Sequence, residues 1–596
     1  MRELEYPFDA DYLIRKKIKI RKQLLAEGGP FLEKRIAILG GSTTAEIRNM
    51  LELFLLNFGI KPKIYESEYN KFYEDGLFGN PELDDLKPDV IYIHTTSRNI
   101  LNWPKASDNE KTVGALVKET YDRFEVLWEA LEKKFGCYII QNNFEYPAYR
   151  LLGNADTVLP GGGVYFVNEV NRFFSKYARS HEKMFIHDIN YESACYGLEK
   201  WSDSLYWCMY KYAMTLDAIP YSAFEVAKII KAMFGKNKKV LSLDLDNTLW
   251  GGVIGDDGVN NIEIGEETPM AQGYAEFQQY LKRQQEIGVV LSVNSKNNEE
   301  TAMEGFKRPD TVLKIEDFAS FKANWDNKDI NLVNAASELS LLPESFVFVD
   351  DNPAERELVL ANVKGVSVPE MEGVENYIRT IDRSGFFEVI SLSSDDAKRA
   401  EMYRENVKRA KAAASFSDYG EYLKSLEMKA EIDSFAPEYL ARIAQLTNKS
   451  NQFNLTTLRL SQSEIEQMAA DDKYITLYGK LADKFGDNGV VSVVIGKKAG
   501  NEVNIILWLM SCRVLKRGME YAMMNEFVKR CSKVGAVKIR GFYYPTAKNG
   551  MVRDFYGLLG FNKETEDNEG NAIWEKSTLN YKEHETYIGI KERDAK

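Results

Sequence analysis

From Arg35 to about Phe386, short apolar runs alternate with segments of helical periodicity, and that alternation admits few folds. Strand, helix and strand in succession build a parallel sheet with helices packed on its faces. In the first third the strands are read at 35–39 (RIAIL), 62–65, 90–94, 137–141 and 184–186, with helices at 46–57, 164–178 and 222–234. GKNKK at 235–239 is a linker by its composition. In the second third the strands are VLSLDL (240–245), VVLSVN (289–294), VLKI (312–315), FVFVD (346–350) and GVSV (365–368), with helices at 270–286 and 328–339. The last third differs. Strands at 474–480, 490–495, 503–510 and 536–541 around one helix at 518–531 make an α+β module. Between them the charged stretch 395–414 reads as a solvated helix bridging two domains. The tail after Ser577 is polar and is expected to be loosely held.

A chain of 596 residues exceeds what one hydrophobic core can hold. The expected divisions are 1–235, 236–390, a helical linker 391–430, 431–580 and a tail 581–596. A net charge of −13 opposes a nucleic-acid partner, which calls for a basic face. The N-terminus has no apolar signal region, and the apolar run 505–510 is far too short to span a bilayer, so a cytoplasmic protein is expected. Five scattered cysteines without a C-x-x-C pair favour reduced thiols over a disulfide framework or a zinc site. The four histidines, 94, 181, 187 and 584, show no ligand spacing, so chemistry built on several histidines is not expected. Nothing in the sequence fixes an oligomeric state.

The chemistry concentrates where VLSLDL runs into Asp244-Leu245-Asp246-Asn247-Thr248. Ligands of open α/β sheets bind at the carboxyl ends of strands. Residues i and i+2 leave a strand on one side, so Asp244 and Asp246 can share a crevice. One carboxylate can attack phosphorus while the other protonates the leaving oxygen and then activates water. Two carboxylates repel a phosphate, so cations are required. FVFVD delivers Asp350 and Asp351 at a second strand end, an oxygen set suited to Mg²⁺. Ser295, at the end of VVLSVN, and Lys328 supply a hydroxyl and an ammonium for the transferred phosphoryl group. Lys314 and Lys322 are alternatives to Lys328. Thr248, Asn294 and Asn297 are expected to line the substrate.

DLDNT, Ser295, Lys328 and VDDN together resemble the four motifs of the haloacid dehalogenase (HAD) superfamily. LDLDNTLWGGVIGDDG, NSKNN (294–298) and VFVDDNPAERE (347–357) resemble its FkbH-like branch, subfamily IIIC. NKSNQFNLTT, DKFGDNGVV and MSCRVLKRGME resemble the C-terminal part of longer FkbH-like proteins, so the likeness covers roughly 240–565. The resemblance implies that Asp244 is the nucleophile and that Asp246 is the acid/base, with its backbone carbonyl on Mg²⁺. Ser295 and Lys328 would hold the phosphoryl group, and Asp351 with Asp350 would complete the metal site. Glyceryl-transferring FkbH-like proteins are expected to carry a cysteine before the Ser-Lys-Asn of the second motif. Asn294 stands there, and an amide cannot form a thioester. The stretch between Thr248 and Ser295 holds a hairpin flap (251–261) and one helix, leaving no room for a cap domain.

The flanks carry further resemblances. IAILGGST at 36–43 places Ser42 at a strand-to-helix turn, as in SGNH (GDSL-like) hydrolases, which implies a flavodoxin-like sheet. Asn142 or Asn143 would take the family's Asn position. The family's Asp-x-x-His is missing, and His187-Asp188 is a poor substitute. VNIILWLMSC followed by RVLKRGMEYAMM resembles the central strand and helix of GNAT acyltransferases. Gly518 matches the first glycine of their pyrophosphate loop, while Leu515 and Glu520 depart from it, and Glu520 would repel a pyrophosphate. Arg513, Lys516 and Arg517 remain for an anion, and coenzyme A thioester use is left open. Asn451 and Asn454 of QFN are either site-lining or loop residues.

Three functions follow as expectations. The first is a Mg²⁺-dependent phosphatase or phosphotransferase acting on a small-molecule or carrier-linked phosphate in surface polysaccharide or polyketide-type biosynthesis. The second loads an acyl unit onto an acyl carrier protein through another cysteine, such as Cys512. The third is a scaffold of degenerate domains.

Overall fold

The computed structural model describes residues 1–29, 31–392, 399–546 and 548–591. The chain divides into two compact units, Met1–Lys236 and Asn237–Lys596.

The first unit is a five-stranded parallel sheet in the order Ile60–Glu66, Leu32–Gly40, Val90–His94, Tyr138–Asn142, Met184–His187. In chain order this is 2-1-3-4-5, so the winding reverses between the first and third strands. Strand Val90–His94 is buried throughout. That explains its continuous apolar run, because a central parallel strand has both faces covered. The helix Glu110–Phe135 was not anticipated, although Val113, Val117, Phe124, Leu127 and Leu131 show its buried stripe at helical spacing. Asn109 caps its start and Gly136, at φ 59°, ends it.

In the second unit a four-stranded parallel sheet runs Phe318–Ala323, Val290–Ser295, Val240–Leu243, Phe346–Val349. The third strand is not the expected 312–315 but 318–323. The VLKI run, of which Leu313 is buried, forms no ladder because Gln278 Oε1 accepts from Val312 N and Leu313 N, and Asp317 Oδ2 from Lys314 N. GVSV contributes only an isolated bridge, Val347 to Ser367. The expected hairpin at 251–261 is a loop with one helical turn, Ile254–Asp257, closed by the bridge Gly251 to Glu263.

An eight-stranded mixed sheet makes the rest of this unit. Its parallel strands Glu502–Met510 and Lys538–Tyr543 pair only as far as Ile505 and Gly541. Beyond that point residues 453–455 enter between them: Leu455 N donates to Trp508 O, Met510 N to Phe453 O, and Tyr544 N to Leu455 O. Asn454 is fully buried, accepts from Thr457 N at 2.8 Å and donates to Ser450 O, so it is a structural residue.

The bridging helix needs correction. Its residues 395–398 lie outside the described residues, but Arg399–Ala414 is packed rather than solvated. Tyr403 is buried with Val240, Leu332 and Phe348 under the four-stranded sheet. Arg409 is 1% exposed and grips Asp483 of the mixed sheet through Nε (2.8 Å) and a terminal nitrogen (2.7 Å). Arg517 adds a third contact at 3.2 Å. Removing one partner of a buried ion pair strands the others, so Asp483→Asn should cost about 3–5 kcal/mol of stability, read by chemical denaturation. A loss under about 1 kcal/mol would show that the cluster is not what joins helix and sheet. The tail is also held more firmly than expected: Gly589–Ile590 pairs with strand Lys429–Asp433, and Tyr581 donates to Asn525 at 2.7 Å. Residues 592–596 lie outside the described residues. Among the described residues no helix is long and apolar enough to cross a membrane.

Candidate active site

The four-stranded sheet, in chain order 3-2-1-4, reverses its winding between strands Val240–Leu243 and Phe346–Val349. A crevice opens at the carboxyl ends of such a strand pair. Asp244 follows the first strand, and Asp350 and Asp351 follow the second. Ligand atoms of these three carboxylates lie within 4.8 Å of one another. Lys328, 3% exposed, begins the helix Lys328–Glu338 and reaches Asp244 Oδ1 at 3.0 Å and Asp350 Oδ2 at 2.6 Å. The rivals are committed elsewhere: Lys314 to backbone carbonyls, Lys322 to Glu338.

One ammonium against three carboxylates leaves excess negative charge in a dry place. Burial and then the neighbouring Asp244 push the Asp350 carboxyl up to about 7, and the same causes raise Asp351. Burial lowers the Lys328 ammonium, but Asp244 and Asp350 outweigh it and the net shift is upward. A cluster of this kind fits a hard divalent cation bound by oxygen ligands, with Asp244, Asp350 and Asp351 as its holders.

Asp246 turns to a different set of partners. Its Oδ1 accepts from Trp250 Nε1 at 2.9 Å and Ile254 N at 3.1 Å, and its Oδ2 from Asn297 Nδ2 at 2.8 Å. Asn247 supplies the bend at φ 54°, and its Oδ1 accepts from Gly252 N. Burial raises the Asp246 carboxyl in spite of these three donors, which suits a group that must carry a proton. Ser295 is 1% exposed with its Oγ 3.4 Å from Asn297 Nδ2, so Asn297 spans the Ser295 hydroxyl and the Asp246 carboxyl. Thr248 is buried and accepts from Asp351 N at 3.2 Å, bracing one aspartate loop against the other.

Asn294 stands beside Ser295 in strand Val290–Ser295, and its Oδ1 has no hydrogen-bond partner among the described residues. It is 1% exposed, and its Nδ2 donates to the Lys328 carbonyl at 2.8 Å. That bond fixes the start of the helix that carries Lys328. Two contributors have no role in the sequence reading, Trp250 and Arg356, and Asn352 acts through its backbone. Asn352 N donates to Asp350 Oδ1, and Arg356 donates to the carbonyls of Asp350 (2.9 Å) and Asp351 (2.7 Å).

The flanking candidates fare differently. Arg513 is not free for an anion: it is buried and donates to Ser511 Oγ and to Met402 Sδ. Arg517 is likewise taken, by Asp483, Asn406 Oδ1 and the Arg513 carbonyl. Gly518, at φ 85°, precedes the helix Met519–Lys533. In that first turn burial raises the Glu520 carboxyl, opposed by the backbone N–H groups of Glu520, Lys516 and Gly518 that face it. Cys512 packs beside Lys239, just before strand Val240–Leu243, whereas Asp244 lies just after it. Five strand residues span roughly 16 Å, so this thiol is remote from the crevice. In the first unit Asn142 lies between His94 and His187, and Asn143 instead holds Asp188. The fold therefore gathers two histidines that sequence spacing kept apart.

A doubly wound sheet with paired aspartates at one strand end, a lysine and a further aspartate pair at the reversal of winding is a HAD-type phosphatase domain. The comparisons agree. The FkbH N-terminal domain family matches residues 35–231, which extends the likeness into the first unit. A crystal structure from Bacteroides fragilis, described as the N-terminal part of a protein containing a phosphatase domain and complexed with Mg, is 30% identical with a TM-score of 0.59. It covers 64% of this chain, and this chain covers 99% of it. The chain belongs to the FkbH-like proteins, with the HAD-type phosphatase domain following the FkbH N-terminal domain. Two solved acetyltransferase-type structures are more distant. The ribosomal-protein-S18-alanine N-acetyltransferase of Escherichia coli is 14% identical over 26% of this chain and 97% of its own, with a TM-score of 0.21. Ard1 of Thermoplasma volcanium is 18% identical over 25% and 98%, with a TM-score of 0.20. No functionally curated protein matches the chain.

Proposed function

We propose that the second unit hydrolyses a phosphate monoester of a biosynthetic intermediate through a phosphorylated Asp244. The observation that carries this reading is the contrast between the two aspartates. Asp244 faces Lys328 and the other carboxylates, a place for a charged nucleophile. Asp246 is held apart by three donors, and burial raises its carboxyl. An oxygen of Asp244 attacks phosphorus, the bond from phosphorus to the leaving oxygen breaks, and Asp246 gives that oxygen its proton. Asp246 then takes a proton from water as the water attacks the aspartyl phosphate, releasing inorganic phosphate and restoring Asp244. Ser295 and Lys328 bind the transferred oxygens. Mg²⁺ on Asp244, Asp350 and Asp351 would supply the charge that lets a dianion approach. A phosphatase screen over phosphosugars, phosphoglycerates and sugar nucleotides tests the reading. Turnover that persists undiminished in a chelator would refute it.

Carrier loading is the second reading, and two observations disfavour it. Asn294 is tied to the Lys328 carbonyl, and Cys512 is remote from Asp244. With a phosphoglycerate-type donor the protein should release phosphate without forming a stable acyl-enzyme. Intact-protein mass spectrometry checks this, and a glyceryl adduct on any cysteine would promote the loading reading.

For the C-terminal region we infer an acyltransferase-like fold, of the GNAT kind by resemblance, without coenzyme A binding. Glu520 places a carboxylate in the first turn where a pyrophosphate would sit, and residues 453–455 fill the gap between the diverging strands. Calorimetry with acetyl-CoA should show no saturable heat, and a micromolar Kd would overturn this.

A further inference from the structure

The first unit contains two polar atoms whose situation the phosphatase does not explain. Ser42 is 1% exposed and His94 is fully buried, and neither Ser42 Oγ nor His94 Nε2 has a hydrogen-bond partner. Buried polar atoms without partners are rare and call for a cause. Both sit at one place. Ser42 follows strand Leu32–Gly40, whose Gly40 is in register with His94, the last residue of strand Val90–His94. Gly41 N donates to the His94 carbonyl at 2.8 Å. These are the first and third strands, between which the winding reverses, so the pair lies where such sheets open a crevice. The thirteen-residue helix Ala45–Asn57 begins just beyond Ser42, and no side chain caps its N-terminus.

The proton on His94 can be assigned. Asn142 Nδ2 lies 3.1 Å from the Thr95 carbonyl and 2.8 Å from His94 Nδ1. A carbonyl only accepts, so this end of Asn142 is the NH₂ group and it donates to Nδ1. The other end, Oδ1, accepts from His187 Nδ1 at 3.0 Å, and His187 Nε2 is backed by Glu192 at 3.0 Å. His94 therefore carries its proton on Nε2, the unpartnered atom. Burial, then His187, lowers the His94 imidazole to about 3, so it stays neutral. A neutral ring with its proton on that buried, unpartnered nitrogen can donate a hydrogen bond and cannot deprotonate Ser42.

We propose that Ser42 Oγ and His94 Nε2 are the two donors of a second ligand site, which takes a singly charged carboxylate at the start of helix Ala45–Asn57. The helix terminus and two neutral donors favour one negative charge. Two acidic side chains are bonded to neighbours of Ser42 and His94, Glu66 to Thr44 (and paired with Arg48) and Glu145 to Thr96, and they oppose a dianion such as phosphate. The site lies outside the phosphatase unit, so its test is independent of that activity.

With only four histidines, selective ¹⁵N-histidine labelling of the full chain gives a simple spectrum. Sodium butyrate should shift the His94 resonance saturably, with inorganic phosphate and chloride inert. In Ser42→Ala the affinity should fall about ten-fold, the scale for losing a hydrogen bond to a charged group. Ligand-observed butyrate line broadening should show the same loss in His94→Gln, with circular dichroism checking that each variant is folded. Methyl butyrate should not be hydrolysed. Absence of a saturable His94 shift, or equal binding by both variants, would overturn the site. Fluorophosphonate labelling of Ser42 would also overturn it, making Ser42 an activated nucleophile.

Discussion

Asp244→Asn should lower kcat for phosphate monoester hydrolysis by about 10⁴-fold or more, the scale for losing a residue that acts as one unit with its partners. An amide cannot form the acyl phosphate. The variant should still fold, because Lys328 keeps its 2.6 Å contact with Asp350. Steady-state kinetics beside a melting curve separates the two effects, and near-normal turnover in a folded variant would remove Asp244 from the mechanism.

The second large effect belongs to Asp246. Asp246→Asn should cost about 10²–10⁴-fold on an alkyl phosphate, the usual range for a general acid or base. The loss should be much smaller for the first step with p-nitrophenyl phosphate, whose leaving oxygen departs without a proton. Burst kinetics reads that step by itself. Equal losses on both substrates would mean that Asp246 only supports the loop, because the new amide keeps an oxygen for Trp250 and Ile254 but sets its NH₂ against Asn297 Nδ2 in either case.

Asp244, Asp246, Asp350 and Asp351 were legible in the sequence because strand ends place them, and the strands announce themselves as apolar runs. Lys328 was legible only as one of three lysines. What selects it is a tertiary fact, that helix Lys328–Glu338 starts opposite the two aspartate loops. Asn294 shows the limit more sharply. Neighbouring residues on a strand face opposite sides, so a position beside Ser295 is not thereby a position beside its ligand. The Asn294 Nδ2 goes to the Lys328 carbonyl, while its Oδ1 has no partner among the described residues. Trp250 and Arg356 were missed because their partners come from loops folding back. The strand at 318–323 was missed because the apolar VLKI run before it satisfies its backbone through the Gln278 side chain.

The histidines teach the same lesson. His94 and His187 are far apart in sequence and show no motif, yet they end strands on either side of the one that carries Asn142. Parallel topology brings strand ends together across long intervals of chain, and no local spacing reports it.

The proposed reaction turns on a covalent phosphoryl group on Asp244. Rapid quench of the Mg²⁺-loaded protein during turnover, followed by borohydride reduction and peptide mapping, reads it directly, since borohydride converts an aspartyl phosphate to homoserine. This reaction predicts homoserine at position 244 and an unmodified Asp246. Turnover with no homoserine at 244, or with the phosphoryl group trapped on another residue, would contradict it.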